Sequence, residues 1–471
     1  MVSPLKSDSA LRRKLESALV SRDNRWIRRR LPDPATASAL TSPLTDFTSN
    51  DYLSLSSSRH LRSHFLNKLS TAPDILGSGG SRLLVNGQAH ANLEDRLRRF
   101  FGGEAALLFN SGFDANVGFF SCIPQPGDVI VYDEYIHASV HDGMRASRVE
   151  RSSLIAFDHN SVLALRLALM KARNKLGEGQ NVFVAVESLY SMDGTFAPLK
   201  EMVVVIEEMF PEGNAYFIVD EAHSTGIYGP EGRGRVAMLG LENKVLARLH
   251  TFGKALAASG AVVITNNLIK DYMLNYARSL IYTTSLSYAN IIAADASFDM
   301  LTDRTASHLS RHLLSLSTHL TTALTSALKS HRIPSSLVSL HPSHTTTTTT
   351  TTIPDQPNLN DPSPIVPILT PHPRPLSAYL LAHGMNARPI TWPTVPKGKD
   401  RVRVCLHAGN TKEDIDKLVR CVVNWAEEVV AAAKVKAKEA KEGKEESIGE
   451  RRVAWIRSAD GPVQAQERSK L

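Results

Sequence analysis

The chain has 471 residues, 42% of them hydrophobic and 21% charged, proportions that exclude wholesale disorder, a collagen-like repeat and a coiled coil. Its net charge of +7 is too small an excess to mark a nucleic-acid binder, and no groove-reading motif or aromatic platform accompanies it. The only three cysteines, Cys122, Cys405 and Cys421, are too few and too scattered for a disulfide framework or a zinc site, so no metal is expected.

In chain order, residues 1–55 are expected to form an N-terminal helix and arm. Asp8, Glu16 and Asp23 interrupt the basic stretch that ends at Arg28, Arg29 and Arg30, which argues against an acid-poor transit peptide. Residues 56–288 form the expected large domain. Within it, short apolar runs at 105–109, 129–133, 153–157, 182–187, 215–220, 246–252 and 261–265 alternate with helical patterns. That alternation predicts an α/β fold built on a mainly parallel, seven-stranded sheet, with its ligand site beyond the carboxyl ends of the strands.

The remaining residues, 289–433, are expected to form a smaller α+β domain. A long helix is expected from 289 towards 326, followed by an insertion at 341–363 that contains a run of threonines and cannot bury a core. Residues 401–406 alternate as a half-buried strand. From 434 onwards a flexible tail rich in Lys, Glu and Ala is expected. It ends in Ser469, Lys470 and Leu471, the tripeptide read by the peroxisomal import receptor, which predicts that receptor as a partner and the peroxisome as the location. No apolar run approaches the roughly 18 residues needed to cross a bilayer, so no membrane segment is expected.

Two strand ends carry the chemistry. Asp220, Glu221, Ala222 and His223 follow one apolar run, and Thr251, Phe252, Gly253 and Lys254 close another. A carboxylate and a lysine at neighbouring strand ends can converge on one ring-shaped ligand. Pyridoxal phosphate needs this pair: the lysine forms a Schiff base and the carboxylate keeps the pyridine nitrogen protonated. Either residue alone has a plainer explanation, as a helix cap or a solvated charge. Asn110, Ser111, Gly112 and Phe113 make a strand-to-helix turn before a helix expected to begin near Asp114, where free amides suit a phosphate. The same turn also reads as an ordinary capped helix start. The glycine-rich stretch Gly77, Ser78, Gly79, Gly80, Ser81 follows no strand and is not a dinucleotide fingerprint.

Segments 46–55, 77–86, 108–116, 137–143, 187–198, 220–226 and 251–261 together resemble the α-oxoamine synthases, over about residues 11–426 apart from the Thr-rich insertion. The resemblance implies the fold-type-I, aspartate-aminotransferase-like architecture of pyridoxal-phosphate-dependent transferases. It also implies condensation of an amino acid with an acyl-CoA and loss of carbon dioxide, in a homodimer. Residue by residue it implies Lys254 as the Schiff-base lysine, Asp220 on the pyridine nitrogen, His137 stacked on the ring, and Ser191 and His223 near the ring hydroxyl. Ser111, Gly112, Phe113 and Thr251 would face the phosphate, with Thr283 and Thr284 reaching that of the other subunit. Asn50 and Arg403 would hold the amino-acid carboxylate, although Arg403, between Val402 and Val404, also fits a surface strand. Arg388 and Arg30 are further substrate candidates. The implied substrates are glycine and a pimeloyl thioester. Other branches of the family and a catalytically silent regulatory homologue stay open, Lys254 and Asp220 speaking against the last.

Overall fold

The computed structural model describes residues 9–25, 27–29, 31, 44–344 and 361–459, the last without side-chain surroundings beyond 436. Arg30, the threonine run 345–352 and the tripeptide 469–471 lie outside the described residues. The chain divides into two compact units, Met1–Leu44 and Thr45–Leu471. In the first, α1 (Ala10–Asn24) is capped by the Ser9 side chain, which accepts from the Arg12 N–H, and Arg28 pairs with Asp23 at 2.6 Å. The boundary therefore falls at 44 and not at 55. The arm belongs to the second unit because Thr45 and Asp46 pair in parallel with Met385 and Asn386, and because Phe47, Tyr52, Leu53 and Leu55 are buried in its core.

In the second unit the seven strands are β1 (Ala105–Phe109), β2 (Val129–Asp133), β3 (Leu154–Phe157), β4 (Val182–Glu187), β5 (Ala215–Asp220), β6 (Ala247–Thr251) and β7 (Ala261–Thr265), one or two residues shorter than expected in β3 and β6. They lie in the order β1-β7-β6-β5-β4-β2-β3. Only β7 runs against its neighbours; the other pairings are parallel. β1, β4 and β6 are buried at every position, because helices cover both faces of such a sheet; this explains the apolar runs of β1 and β4, while β6 buries Arg248, His250 and Thr251 as well. The register sets Glu187 beside Asp220 at the carboxyl edge. Helices α2 (Arg59–Thr71) and α3 (Gln88–Phe101) precede β1, α4 (Gly112–Cys122) follows β1 and α5 (Ala138–Ala146) follows β2.

The long helix expected from 289 is two helices, α6 (Tyr288–Thr302) and α7 (Thr305–Ser330), broken where Arg304 adopts a left-handed φ of 71°. α7 buries Leu313, Leu316, Leu320 and Leu324, a stripe at helical spacing. A four-stranded antiparallel sheet follows, with β8 (Ser339–Leu340), β9 (Ile365–Leu369), β10 (Arg388–Ile390) and β11 (Arg401–Cys405) in the order β10-β11-β9-β8. β11 is buried at every position, not half-buried, because it is an inner strand flanked by β10 and β9. The final helix α8 (Lys412–Ala459) continues through residues expected to be flexible from 434. All three cysteines are free and buried. Among the described residues no helix is long and apolar enough to cross a membrane, and no His, Cys, Asp and Glu group could hold a metal ion.

Candidate active site

At the carboxyl edge of the large sheet lies a cavity of about 140 Å³, lined in part by Gly112, His137, Glu187, Asp220, His223 and Lys254. β5 delivers Asp220 to it. The Asp220 carboxylate accepts from Asn116 Nδ2 at 2.8 Å and from the Ala222 N–H at 2.9 Å, so both oxygens are oriented and served by donors. Asn116, on α4, also donates to Ser139 Oγ at 3.0 Å. Ser139 lies 2.7 Å from His137 Nδ1 through its hydroxyl and donates its N–H to the same nitrogen. A continuous polar chain thus fixes Asp220 and the His137 ring together.

Lys254 follows β6. Burial disfavours its ammonium more than the Asp220 carboxylate stabilises it, lowering its pKa to about 8. His223 is fully enclosed; burial, then the Lys254 and Arg403 cations, hold its pKa well below the usual imidazole value. Its Nδ1 lies 2.7 Å from the Tyr52 hydroxyl, which is also 3.2 Å from Asn50 Oδ1. Arg403 Nη2 donates to the same Asn50 oxygen at 3.0 Å, and its Nε donates to the Ser191 carbonyl at 2.5 Å. Asn50, Ser191 and Arg403 therefore meet in one cluster, joined through Tyr52 to the cavity. The neighbouring Arg401 is held by buried Asp193.

α4 starts at Gly112, two residues before the expected start. Ser111 caps it, accepting from the Asp114 N–H at 3.1 Å and donating to the Asp114 carboxylate at 2.7 Å. The plain capping role and an anion-facing helix start coexist here, since Gly112, Phe113 and Thr251 line the cavity while Ser111 is occupied by the cap. Three expected residues, Thr283, Thr284 and Arg388, stand apart from the lining. Thr283 and Thr284 accept from Asn110 Nδ2, at 3.2 Å through Thr283 Oγ1 and at 2.7 Å through the Thr284 carbonyl. Arg388 is exposed on β10 opposite Arg403. Asn116, Glu187 and Tyr52 were not anticipated as site residues.

Residues 42–422 match the aminotransferase class I and II family. The chain belongs to that family. It is 44% identical over 426 residues to an 8-amino-7-oxononanoate synthase of Emericella nidulans, covering 89% of this chain and 97% of the relative. It is 39% identical over 401 residues to the aminoacyl transferase sphA of Aspergillus fumigatus, covering 83% and 82%. Among solved structures it is similar to an SPT carrying PLP, with a TM-score of 0.72 at 26% identity, covering 89% of this chain and 99% of that one. The chain is an enzyme of the α-oxoamine synthase kind, and its fold is that of the fold-type-I pyridoxal-phosphate-dependent transferases.

Proposed function

We propose that this enzyme condenses glycine with a pimeloyl thioester, releasing carbon dioxide and the free thiol and forming 8-amino-7-oxononanoate. The observation that carries this reading is the single hydrogen-bonded assembly in which the Arg403–Asn50 pair adjoins, through Tyr52 and His223, the cavity that holds Lys254 and Asp220. The 44% identity to a synthase of this kind supports the choice of substrates.

The residues fit pyridoxal phosphate. An oriented carboxylate at Asp220 suits a protonated ring nitrogen, a buried oxygen of Glu187 has no hydrogen-bond partner, and the start of α4 faces the cavity. Bound there, the cofactor would withdraw electrons from the amino-acid Cα. Asp220 would keep the ring nitrogen protonated, with Asn116 holding the carboxylate in place. Lys254, its free amine accessible near neutral pH, would remove and return the Cα proton. Arg403 and the Asn50 amide would hold the glycine carboxylate, the guanidinium supplying the charge. Gly112 and Phe113 would offer main-chain N–H groups to the phosphate.

Leu76, Leu84 and Tyr282 are exposed, at 77%, 80% and 72% of their surface. The Tyr288 N–H donates to the Leu76 carbonyl, tying the two segments together. Apolar side chains exposed in this way are ones a second copy would cover, which supports the homodimer as the working form.

The identity to sphA favours a second reading, an α-oxoamine synthase with a different amino acid or acyl donor. Purified enzyme offered glycine, serine or alanine with acyl-CoAs of increasing length, and scored for thiol release, separates the two. The proposal expects glycine with pimeloyl-CoA to lead; a preference for serine with a long monocarboxylic chain would replace it.

A further inference from the structure

Glu187 ends β4 and sits directly opposite Asp220 on β5. Paired residues of neighbouring parallel strands share a face about 5 Å apart, so two carboxyl groups stand side by side in the cavity wall. Their surroundings differ. Asp220 receives a donor on each oxygen. Glu187, only 3% exposed, has an Oε1 buried with no partner, and the Ser191 main-chain N–H is the hydrogen-bond donor acting on its carboxyl. The charges facing it are the Asp220 and Asp133 carboxylates and the Lys254 ammonium, with Arg403 also within electrostatic reach. An ionised Glu187 would place a second buried anion beside Asp220 and leave one of its oxygens without a donor. Two carboxyl groups so close cannot both ionise at ordinary cost. Asp220 has a donor on each oxygen, and Glu187 Oε1 has none.

We propose that Glu187 is a neutral carboxylic acid whose O–H donates from the cavity wall to an oxygen acceptor of the bound cofactor or substrate, so that the site presents one charged and one uncharged carboxyl. The donor role rests on the proposed occupancy of the cavity by pyridoxal phosphate and its substrates; the protonation state does not. Burial and the neighbouring Asp220 charge both push the Glu187 pKa well above the usual carboxyl range, in keeping with the geometry. Bringing a proton donor, and not a second negative charge, to a phosphate-bearing ligand also avoids repulsion on binding.

Infrared difference spectra of the apoprotein between wild type and Glu187→Gln test the first half. A protonated-carboxyl carbonyl stretch, shifted in D₂O, is expected in the wild type and absent from the variant; no such band in the wild type overturns the proposal. Fluorescence titration of the apoproteins with pyridoxal phosphate tests the second half. Glu187→Gln, whose amide N–H can still donate, should bind within about threefold of wild type, while Glu187→Leu should bind about tenfold or more weakly. Equal weakening of both variants, or unchanged affinity of Glu187→Leu, contradicts the donor role. Failure of the wild type to bind pyridoxal phosphate would count against the cofactor assignment, and the infrared band would still decide the state of Glu187.

Discussion

The Tyr52 hydroxyl lies 2.7 Å from His223 Nδ1, and the same oxygen lies 3.2 Å from Asn50 Oδ1. A phenol donates one proton and can accept another, so its hydroxyl can donate to Asn50 Oδ1 while accepting from a protonated His223 Nδ1. Tyr52 therefore ties the ring environment around His223 to the carboxylate-holding pair Asn50 and Arg403. Tyr52→Phe keeps the buried ring and removes the link. It is expected to fold normally and to lower kcat/KM for glycine by about tenfold, the scale of one lost buried hydrogen bond. Glycine saturation curves at fixed acyl-CoA check this, with a raised KM as the mark of a loosened Asn50.

Lys254→Ala removes the amine that holds the cofactor and moves the Cα proton. Turnover should vanish while the circular dichroism spectrum of the fold remains, since the side chain packs no core. A folded, fully active variant would remove Lys254 from its assigned role.

The Lys254 pKa of about 8 sets a pH dependence with a definite sign. The neutral amine is the reactive form, so capture of pyridoxal phosphate by the apoprotein should quicken about tenfold per pH unit below 8 and level off above it. Stability follows the same shift. Between pH 8 and the ordinary lysine value of 10.5 the unfolded chain binds more protons than the folded one, so this residue makes stability rise with pH across that window. Urea midpoints of apoprotein at pH 8 and 10 should show the rise, and Lys254→Met should reduce it.

Asp220→Asn should be folded and nearly inactive, because a neutral amide cannot hold a proton on the pyridine nitrogen. Asn116→Ala should lose less, about ten- to a hundredfold, since it removes one support of Asp220 and leaves the carboxylate. Parallel kcat measurements on the two variants check the order; a larger loss for Asn116→Ala would mean that Asp220 is not the charge that matters.

The residues readable from sequence were those at strand ends. β5 shows as an apolar run and β6 as a mixed one, and Asp220 at the end of one and Lys254 just beyond the other announce a shared ligand. The partners were harder to see. Asn116 lies inside α4, where an Asn has many uses, and only the fold brings it to Asp220. Glu187 was the last residue of an expected strand and so carried a signal, but its pairing with Asp220 needed the strand order, which hydrophobic patterning does not contain. The alternation of 401–406 suggested an exposed face because arginine is seldom buried. Here both arginines are buried with partners, Arg401 on Asp193 and Arg403 on Asn50 and Ser191. The break at Arg304 was hidden because no Gly or Pro marks it.

If a second copy covers exposed Leu84, Leu84→Glu should shift the protein towards monomer in sedimentation experiments and lower activity, with the isolated fold intact. An unchanged sedimentation profile would place the interface elsewhere.

The most direct measurement of the central claim uses glycine labelled at its carboxyl carbon. On adding pimeloyl-CoA to the holoenzyme, labelled carbon dioxide and free CoA should appear in equal amounts, with neither formed by Lys254→Ala. Thiol release without labelled carbon dioxide, or labelled carbon dioxide formed only from carboxyl-labelled serine with a long-chain acyl-CoA, would contradict it.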